Sequence, residues 1–390
     1  MTSTVPTSHS NLPASLQPFA TQLQDLAAKG QLRALRARQG IDLTSNDYLG
    51  LAESEELKNA AAAAIARGVP VGAGGSRLLR GNHPEHEALE AEAADYFGAE
   101  AALYFGAGYA ANLAIFSTLP QADDIVVYDE LVHASVHDGL RRGRAQPACI
   151  PHNDIDAVES RLRDWRSWGG RGRCWITVES VYSMDGDSPN LDDLFAVADR
   201  HDATVIVDEA HATGVVGPQG RGLAAAFEGR HNVITVHTCG KALGTVGGLV
   251  LAPAIVRDYL VNRARAFVFA TAPSPLIAAV TRAALEISRT QPQRRQRLAE
   301  LVAFADRRLR EGCGIRSTRS HIVPVILGTN QKAMAASAAL QRRGFDVRAI
   351  RPPTVPEGTA RLRIALTAKL NETIIIELID ALADHMAERV

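Results

Sequence analysis

The sequence is poor in cysteine. Its 390 residues hold four, Cys149, Cys174, Cys239 and Cys313, none near another and none in a Cys-x-x-Cys or Cys/His zinc spacing. That excludes a disulfide framework and a zinc ribbon, and it predicts reduced thiols in a cytoplasmic protein without a metal site. A chain of this length buries roughly three quarters of its unfolded surface and needs no such staples. An excess of one charge is also lacking. Forty-two Lys and Arg face 43 Asp and Glu, for a net charge of -1, whereas a nucleic-acid protein carries a large basic excess. No run is apolar enough to span a membrane. The longest uncharged one, Ala101–Ala122, contains Gly106, Gly108, Asn112, Ser117, Thr118, Pro120 and Gln121, and a strand, a glycine turn and a buried helix suit it better. Met1–Ser10 lacks the basic and apolar regions of a secretion signal and reads as a short lead-in. Gly72-Ala-Gly-Gly-Ser-Arg77 has neither the Gly-Lys-Ser/Thr ending of a P-loop nor a complete Gly-x-Gly-x-x-Gly, so it reads as a loop near a site.

What is present is an alternation of short β-branched runs and longer helical patterns. Strands are expected at Ala101–Phe105, Asp124–Tyr128, Arg173–Glu179, Ala203–Asp208, Val233–His237 and Gly247–Ala252, several of them apolar at every position, as in a parallel sheet covered on both faces. Helical patterns fill the gaps at His83–Phe97, capped by Asn82 or His83, and at Tyr109–Leu119, Ile155–Trp168 and Leu191–His201. This rhythm predicts an α/β fold with a mainly parallel, doubly wound sheet in a large domain over 41–280. A helical pattern from Ser15 to Arg38 makes an N-terminal segment, 1–40. A smaller α+β domain over 281–390 follows a long helical stretch, Pro275 to Arg310. It has strands at Ile322–Leu327, Asp346–Ile350 and Arg361–Ala365 and helices at Gln331–Arg343 and Asn371–Val390.

Lysine is scarce, with only Lys29, Lys58, Lys241, Lys332 and Lys369. Four sit in polar helical patterns. Lys241 lies among small residues in Thr238-Cys-Gly-Lys-Ala-Leu-Gly244, between two strands. An amine shut away from water has a lowered pKa, which is what a Schiff base needs; the other reading is a tight surface turn. Val205-Ile-Val-Asp-Glu-Ala-His211 is a strand ending in Asp208, where open α/β sheets bind ligands. A carboxylate there, about thirty residues before an enclosed lysine, fits pyridoxal phosphate, with the lysine holding the cofactor and the aspartate its pyridine nitrogen. The alternative for Asp208 is a helix cap. Phe105-Gly-Ala-Gly-Tyr109 follows a strand and opens a helix, leaving backbone N–H groups for a phosphate or simply making a turn. His133 follows another strand and suits either structure or stacking on a flat ring. The arginine clusters Arg141-Arg142-Gly-Arg144 and Arg161 to Arg173 suit solvated faces, or the phosphates of a large anionic substrate.

Taken together these segments resemble the α-oxoamine synthase family of fold-type-I pyridoxal-phosphate-dependent transferases. The matching motifs are Ser45-Asn-Asp-Tyr-Leu-Gly50, Gly72-Ala-Gly-Gly-Ser76, His86-Glu-Ala-Leu-Glu90, His133-Ala-Ser135, Ser183-Met-Asp-Gly-Asp187, Asp208-Glu-Ala-His211 and Gly240-Lys241. Ile350-Arg-Pro-Pro-Thr-Val-Pro356, followed by Gly358-Thr-Ala-Arg-Leu-Arg363, is similar to the biotin-pathway branch. The resemblance implies decarboxylative condensation of L-alanine with pimeloyl-CoA or a pimeloyl-acyl carrier protein. Siblings that use glycine or serine with another acyl-CoA are the alternative, and a non-catalytic partner protein of the same fold is a further one.

The resemblance also implies roles. Lys241 would hold the cofactor and move the α-proton, Asp208 would pair with the pyridine nitrogen, and His133 would stack on the ring. His211 and Ser183 would bond the phenolic oxygen, and Gly108, Tyr109 and Thr238 the phosphate. Asn46 and Glu179 would lie near the reacting atoms. Arg351 would bind a substrate carboxylate, with Thr354 also facing substrate, and Arg33, or failing it Arg36, would be the N-terminal substrate arginine. The family is homodimeric, with sites at the subunit interface and Thr271 reaching the neighbour's phosphate. Three departures stand out: Arg38 to Leu43 is short for the strand pair many relatives carry, Ser180 replaces a common glycine, and Ala272 a common serine.

Overall fold

Runs of five or six residues, β-branched and apolar on both sides, have no solvent face, so they pair in the middle of a sheet and draw helices onto both faces. In the computed structural model, which describes residues 12–387, the strands are β1 (Ile41–Asp42), β2 (Ala101–Phe105), β3 (Ile125–Asp129), β4 (Gln146–Ile150), β5 (Cys174–Glu179), β6 (Ala203–Asp208), β7 (Val233–Thr238), β8 (Gly248–Ala252), β9 (Ile322–Gly328), β10 (Phe345–Asp346), β11 (Arg348–Ile350) and β12 (Ala360–Ala365). The lead-in expected over Met1–Ser10 and the end of the last helix, 388–390, lie outside the described residues.

Seven strands form the main sheet in the order β2-β8-β7-β6-β5-β3-β4, and β8 runs against both of its neighbours while the rest are parallel. Alternate residues serve opposite faces. Val126 and Trp175 join Ile115, Phe116 and Leu140 on one side. Ile125, Val127, Ile176 and Val205 join Leu162, Leu194 and Phe195 on the other. The chain divides into two compact units. The larger is Asn46–Leu301 with Thr367–Lys369; the smaller gathers the described residues up to Ser45, Val302–Leu366 and those from Leu370.

Some expectations need correction. Strand β4 was not anticipated, because Gln146-Pro-Ala-Cys-Ile150 carries a proline. It is an edge strand, where a missing N–H can face outward. The helix expected from Ser15 to Arg38 covers only Gln17–Ala28, and Gly30 follows at φ 62°. The stretch from Pro275 is two helices, Pro275–Thr290 and Pro292–Cys313. Gln291 leaves the helical region (φ -115°, ψ 72°), as a residue before proline is pushed to do. The first of these helices packs on Glu55–Ala66 and Pro84–Phe97 in the larger unit, so residues 281–301 group with that unit rather than with the C-terminal domain. The strand expected at Asp346–Ile350 is split at Val347. β10 pairs with β1, and β11 joins β12 and β9 in a three-stranded antiparallel sheet. The short segment before Ser45 therefore carries one two-residue strand.

Candidate active site

Three neighbouring parallel strands of the larger unit end in polar residues: β5 in Glu179, β6 in Asp208 and β7 in Thr238. Beyond β8, at the edge of the sheet, β2 runs through Gly106 into the helix Gly108–Thr118. The carboxyl ends of the strands thus open on one cavity of about 410 Å³, lined among others by Asn46, Tyr109, His133, Asp208, His211 and Lys241. Small-molecule sites usually span ~300–1,000 Å³.

Lys241 Nζ lies 2.8 Å from His211 Nε2. On the far side of that ring, Nδ1 is 2.6 Å from the hydroxyl of Tyr48, which donates to Asn46 Oδ1 at 2.9 Å. A phenol has one proton, so with that proton on Asn46 it is His211 Nδ1 that donates to Tyr48 Oη. His211 Nε2 is then the acceptor facing the amine. Tyr48 is fully buried.

Asp208 is buried at the cavity floor and does not cap a helix. Its Oδ1 accepts the Ala210 N–H at 2.9 Å and its Oδ2 accepts from Asn112 Nδ2 at 2.7 Å. Asn112 Nδ2 also reaches Ser135 Oγ at 3.0 Å, and Ser135 meets His133 Nδ1 through Oγ (2.7 Å) and donates its N–H to the same nitrogen (3.2 Å). Accepting at Nδ1 leaves the proton on Nε2. Burial lowers the His133 pKa, and Lys241 adds to this against the opposing pull of Asp208, so the ring is neutral. Glu179 is also buried, one strand over. Burial and then the Asp208 charge push its carboxyl well up, so it favours its protonated form. Its Oε2 accepts the Ser183 N–H at 3.0 Å, and no described group bonds Oε1.

An anion cradle completes the cavity. The helix Gly108–Thr118 has Ala107 as its N-cap, with no side chain to satisfy the first N–H groups. A Cβ on Gly108 would stand 2.5 Å from Thr238 Cγ2, so only glycine lets the helix start this close to the strand end. Tyr109 is partly exposed at the mouth and its hydroxyl donates to Asp138.

Not every anticipated residue meets here. Ser183 adjoins the site through its backbone and is absent from the cavity lining, as is the Gly72–Ser76 loop. Thr271 is exposed outside the lining; next to it the Ala272 N–H donates to Gly75 O at 2.9 Å. Ser180 serves structure, donating to the buried Glu209 at 2.6 Å. Arg33, Arg351 and Thr354 belong to the smaller unit. There Arg33 Nη2 donates to Thr354 Oγ1 at 2.9 Å and Arg351 Nη1 donates to Gly30 O. Burial, then Arg33 and Arg36, hold the Arg351 pKa below its usual value. Sequence reasoning gave no role to Asn112, Ser135 or Tyr48, although the last two lie within the matched motifs. Asn112 did carry a signal, a lone amide in the apolar run Ala110–Phe116, one turn after Gly108.

Residues 38–382 match the family described as aminotransferase class I and II. An 8-amino-7-oxononanoate synthase from Anaeromyxobacter dehalogenans is 42% identical over 385 residues, 95% of each chain. The chain belongs to the class I and II aminotransferase family. A Geobacter sulfurreducens relative, also named 8-amino-7-oxononanoate synthase, is 40% identical over 94% of this chain and 97% of its own. Among solved structures of this family's fold, a serine palmitoyltransferase from S. paucimobilis, with bound PLP–myriocin aldimine, superposes with a TM-score of 0.86 at 27% identity, covering 97% of this chain and 100% of that one. The 8-amino-7-oxononanoate synthase of Francisella tularensis gives 0.76 at 27% identity, covering 90% and 98%. The fold is therefore that of the fold-type-I pyridoxal-phosphate enzymes.

Proposed function

We propose that this chain is an acyltransferase, a pyridoxal-phosphate-dependent 8-amino-7-oxononanoate synthase of biotin biosynthesis. It joins L-alanine to a pimeloyl thioester and releases CO2 and the free thiol carrier. The observation that carries the reading is the enclosed Lys241 amine, 2.8 Å from a histidine acceptor, in one cavity with a buried Asp208 and an uncapped helix N-terminus. An amine to attach, a carboxylate for a pyridinium and free N–H groups for a phosphate are the three things pyridoxal phosphate asks of a protein. Relatives named for this synthase support the choice of reaction.

When bound, the cofactor supplies the electron sink that makes loss of the alanine α-proton and of CO2 feasible. The chain's part is positioning and proton traffic. Lys241 Nζ would hold the cofactor and, as a free amine, would move the α-proton. The acceptor Nε2 of His211 orients that amine, and Tyr48 and Asn46 orient His211. Asp208, steadied by Asn112, would keep a proton on the pyridine nitrogen. Neutral His133 offers a ring face without competing charge. Gly108, Tyr109 and Thr238 would hold the phosphate, and Ser183, with His211, would bond the phenolic oxygen. Glu179, in its protonated form, serves the reacting atoms with Asn46. Arg351, with Arg33 and Thr354, takes a substrate carboxylate.

A homodimer acting in the cytoplasm is part of the same reading. Val71, Leu79 and Phe269 are 70%, 84% and 71% exposed, large apolar side chains that a second copy would cover. From that surface Thr271 would reach the partner's phosphate.

The test is thiol release by cofactor-loaded protein offered pimeloyl-CoA with L-alanine, glycine or L-serine, and acetyl-, succinyl- and palmitoyl-CoA in parallel. Release that needs both L-alanine and the pimeloyl donor supports the proposal. Release with another pair would overturn the substrate assignment.

A further inference from the structure

Two large grooves flank the larger unit outside the catalytic cavity, and they differ in charge. One, of about 730 Å³, is lined by Arg67, Arg282 and Arg289 together with Glu85, Glu92, Asp95 and Glu286. Its arginines are spent on those acids: Arg282 meets Glu85 and Glu92, and Arg67 meets Glu85. The other, of about 530 Å³, is lined by Arg142, Arg144, Arg263 and Arg265 with Tyr259, and no described carboxylate is among its lining residues. Arg144 bonds only an amide, Gln121 Oε1 at 3.0 Å, and Arg265 lies over the Phe269 ring at 4.7 Å. Among the described residues none of the four makes an ion pair. The nearby acids are occupied, Asp138 by Arg141 at 2.9 Å and Asp258 by Arg257 at 2.6 Å. Arg142 shares Asp138 with Arg141, so four guanidiniums stand around one concavity with little negative charge to match them and repel each other unless an anion joins them.

The groove's position points to which anion. Its wall includes Leu113 and Ser117 of the helix Gly108–Thr118, whose first turn lines the catalytic cavity through Tyr109. Tyr109, Leu113 and Ser117 are four residues apart and share a helix face, so each step is about 6 Å along the axis. The helix Ala134–Arg142 runs alongside, from His133 at the cavity to Arg142 at the groove. We propose that this groove binds the phosphorylated nucleotide head of a coenzyme A thioester, whose pantetheine arm follows the Tyr109–Leu113–Ser117 face to the cavity. The arginines take the phosphates and Tyr259, 42% exposed, offers a ring to the base. The concavity favours a compact nucleotide over a broad protein surface. The proposal rests on the acyl-thioester reading above.

The experiment uses cofactor-loaded wild type and the double variant Arg263→Glu/Arg265→Glu. The expected result with pimeloyl-CoA is a KM raised about tenfold to a hundredfold, with kcat and the KM for L-alanine within about twofold. With pimeloyl-pantetheine, which carries no phosphate, the two proteins should match. Calorimetry with coenzyme A alone should show binding to wild type, weakened by salt and by the substitutions. An unchanged KM for pimeloyl-CoA, or a changed melting temperature with unchanged KM, would overturn the proposal and leave the arginines as a solvated face. Sensitivity to the substitutions with a pimeloyl-acyl carrier protein only would also overturn it in favour of a protein donor. Thiol release from no donor, with coenzyme A still binding at the arginines, would count against the proposed reaction and for the groove.

Discussion

Lys241 Nζ and His211 Nε2 stand 2.8 Å apart, with the histidine's other nitrogen held by the buried hydroxyl of Tyr48. The lysine thus faces an acceptor fixed from behind rather than a freely rotating ring.

Removing that fixture should reach the amine. In Tyr48→Phe, the buried His211 loses its bond to the Tyr48 hydroxyl, which should cost about 1–3 kcal/mol of stability. We expect kcat to fall roughly tenfold, with a displaced pH–rate profile and little change in cofactor affinity. An unaltered profile would deny His211 and Tyr48 a shared function.

Lys241→Ala should abolish covalent attachment of the cofactor. Borohydride reduction followed by peptide mass mapping should leave cofactor on Lys241 of the wild type and on no lysine of the variant. Label on Lys369 or another lysine would refute the assignment.

Asp208→Asn keeps the shape of the side chain, and its contact with Asn112 can be re-formed after an amide flip. Cofactor should still bind, more weakly, while turnover falls by about a hundredfold or more, because a neutral amide cannot hold a proton on the pyridine nitrogen. Near-normal turnover would contradict the role given to this carboxylate. Gly108→Ala should instead act on binding. Its Cβ would meet Thr238 Cγ2 at 2.5 Å, so the cofactor should dissociate at least about tenfold more readily, as read by its absorbance after dialysis.

A pH effect on stability is expected away from the cavity. His152 bonds Asp129 at 3.0 Å and Asp187 at 2.8 Å, and the ring meets Tyr182 edge-on at 4.4 Å. Burial alone would lower its pKa, but the two carboxylates outweigh this and push it up to about 10. A histidine whose pKa rises on folding stabilises fully below its unfolded value of ~6.5, and that contribution fades as pH climbs through the folded value. Wild type should therefore lose more melting temperature between pH 7 and pH 10 than His152→Gln. Equal slopes would mean that the ring is not charged in the folded state.

The parts of the fold that were legible in the sequence are those whose pattern has one physical meaning. Val205-Ile-Val-Asp208 and Cys174–Glu179 are buried at nearly every position, and only a central parallel strand satisfies them. Gln146-Pro-Ala-Cys-Ile150 was missed because an edge strand alternates and tolerates proline, and so resembles a loop. The site divides in the same way. Lys241 and Asp208 are unusual chemistry in apolar settings and are visible one residue at a time. Asn112, Ser135 and Tyr48 matter through partners 96, 23 and 163 residues away, or through a residue that makes such a contact, and no local pattern displays that.

The central claim is a carbon–carbon bond made with loss of the alanine carboxylate. It is tested most directly with L-alanine labelled with carbon-13 at the carboxyl carbon, given with pimeloyl-CoA to cofactor-loaded protein, while labelled CO2 and free thiol are counted together. The account predicts equal amounts of the two, no release of either without the pimeloyl donor, and a product without label. Thiol released without labelled CO2, or label retained in the product, would contradict it.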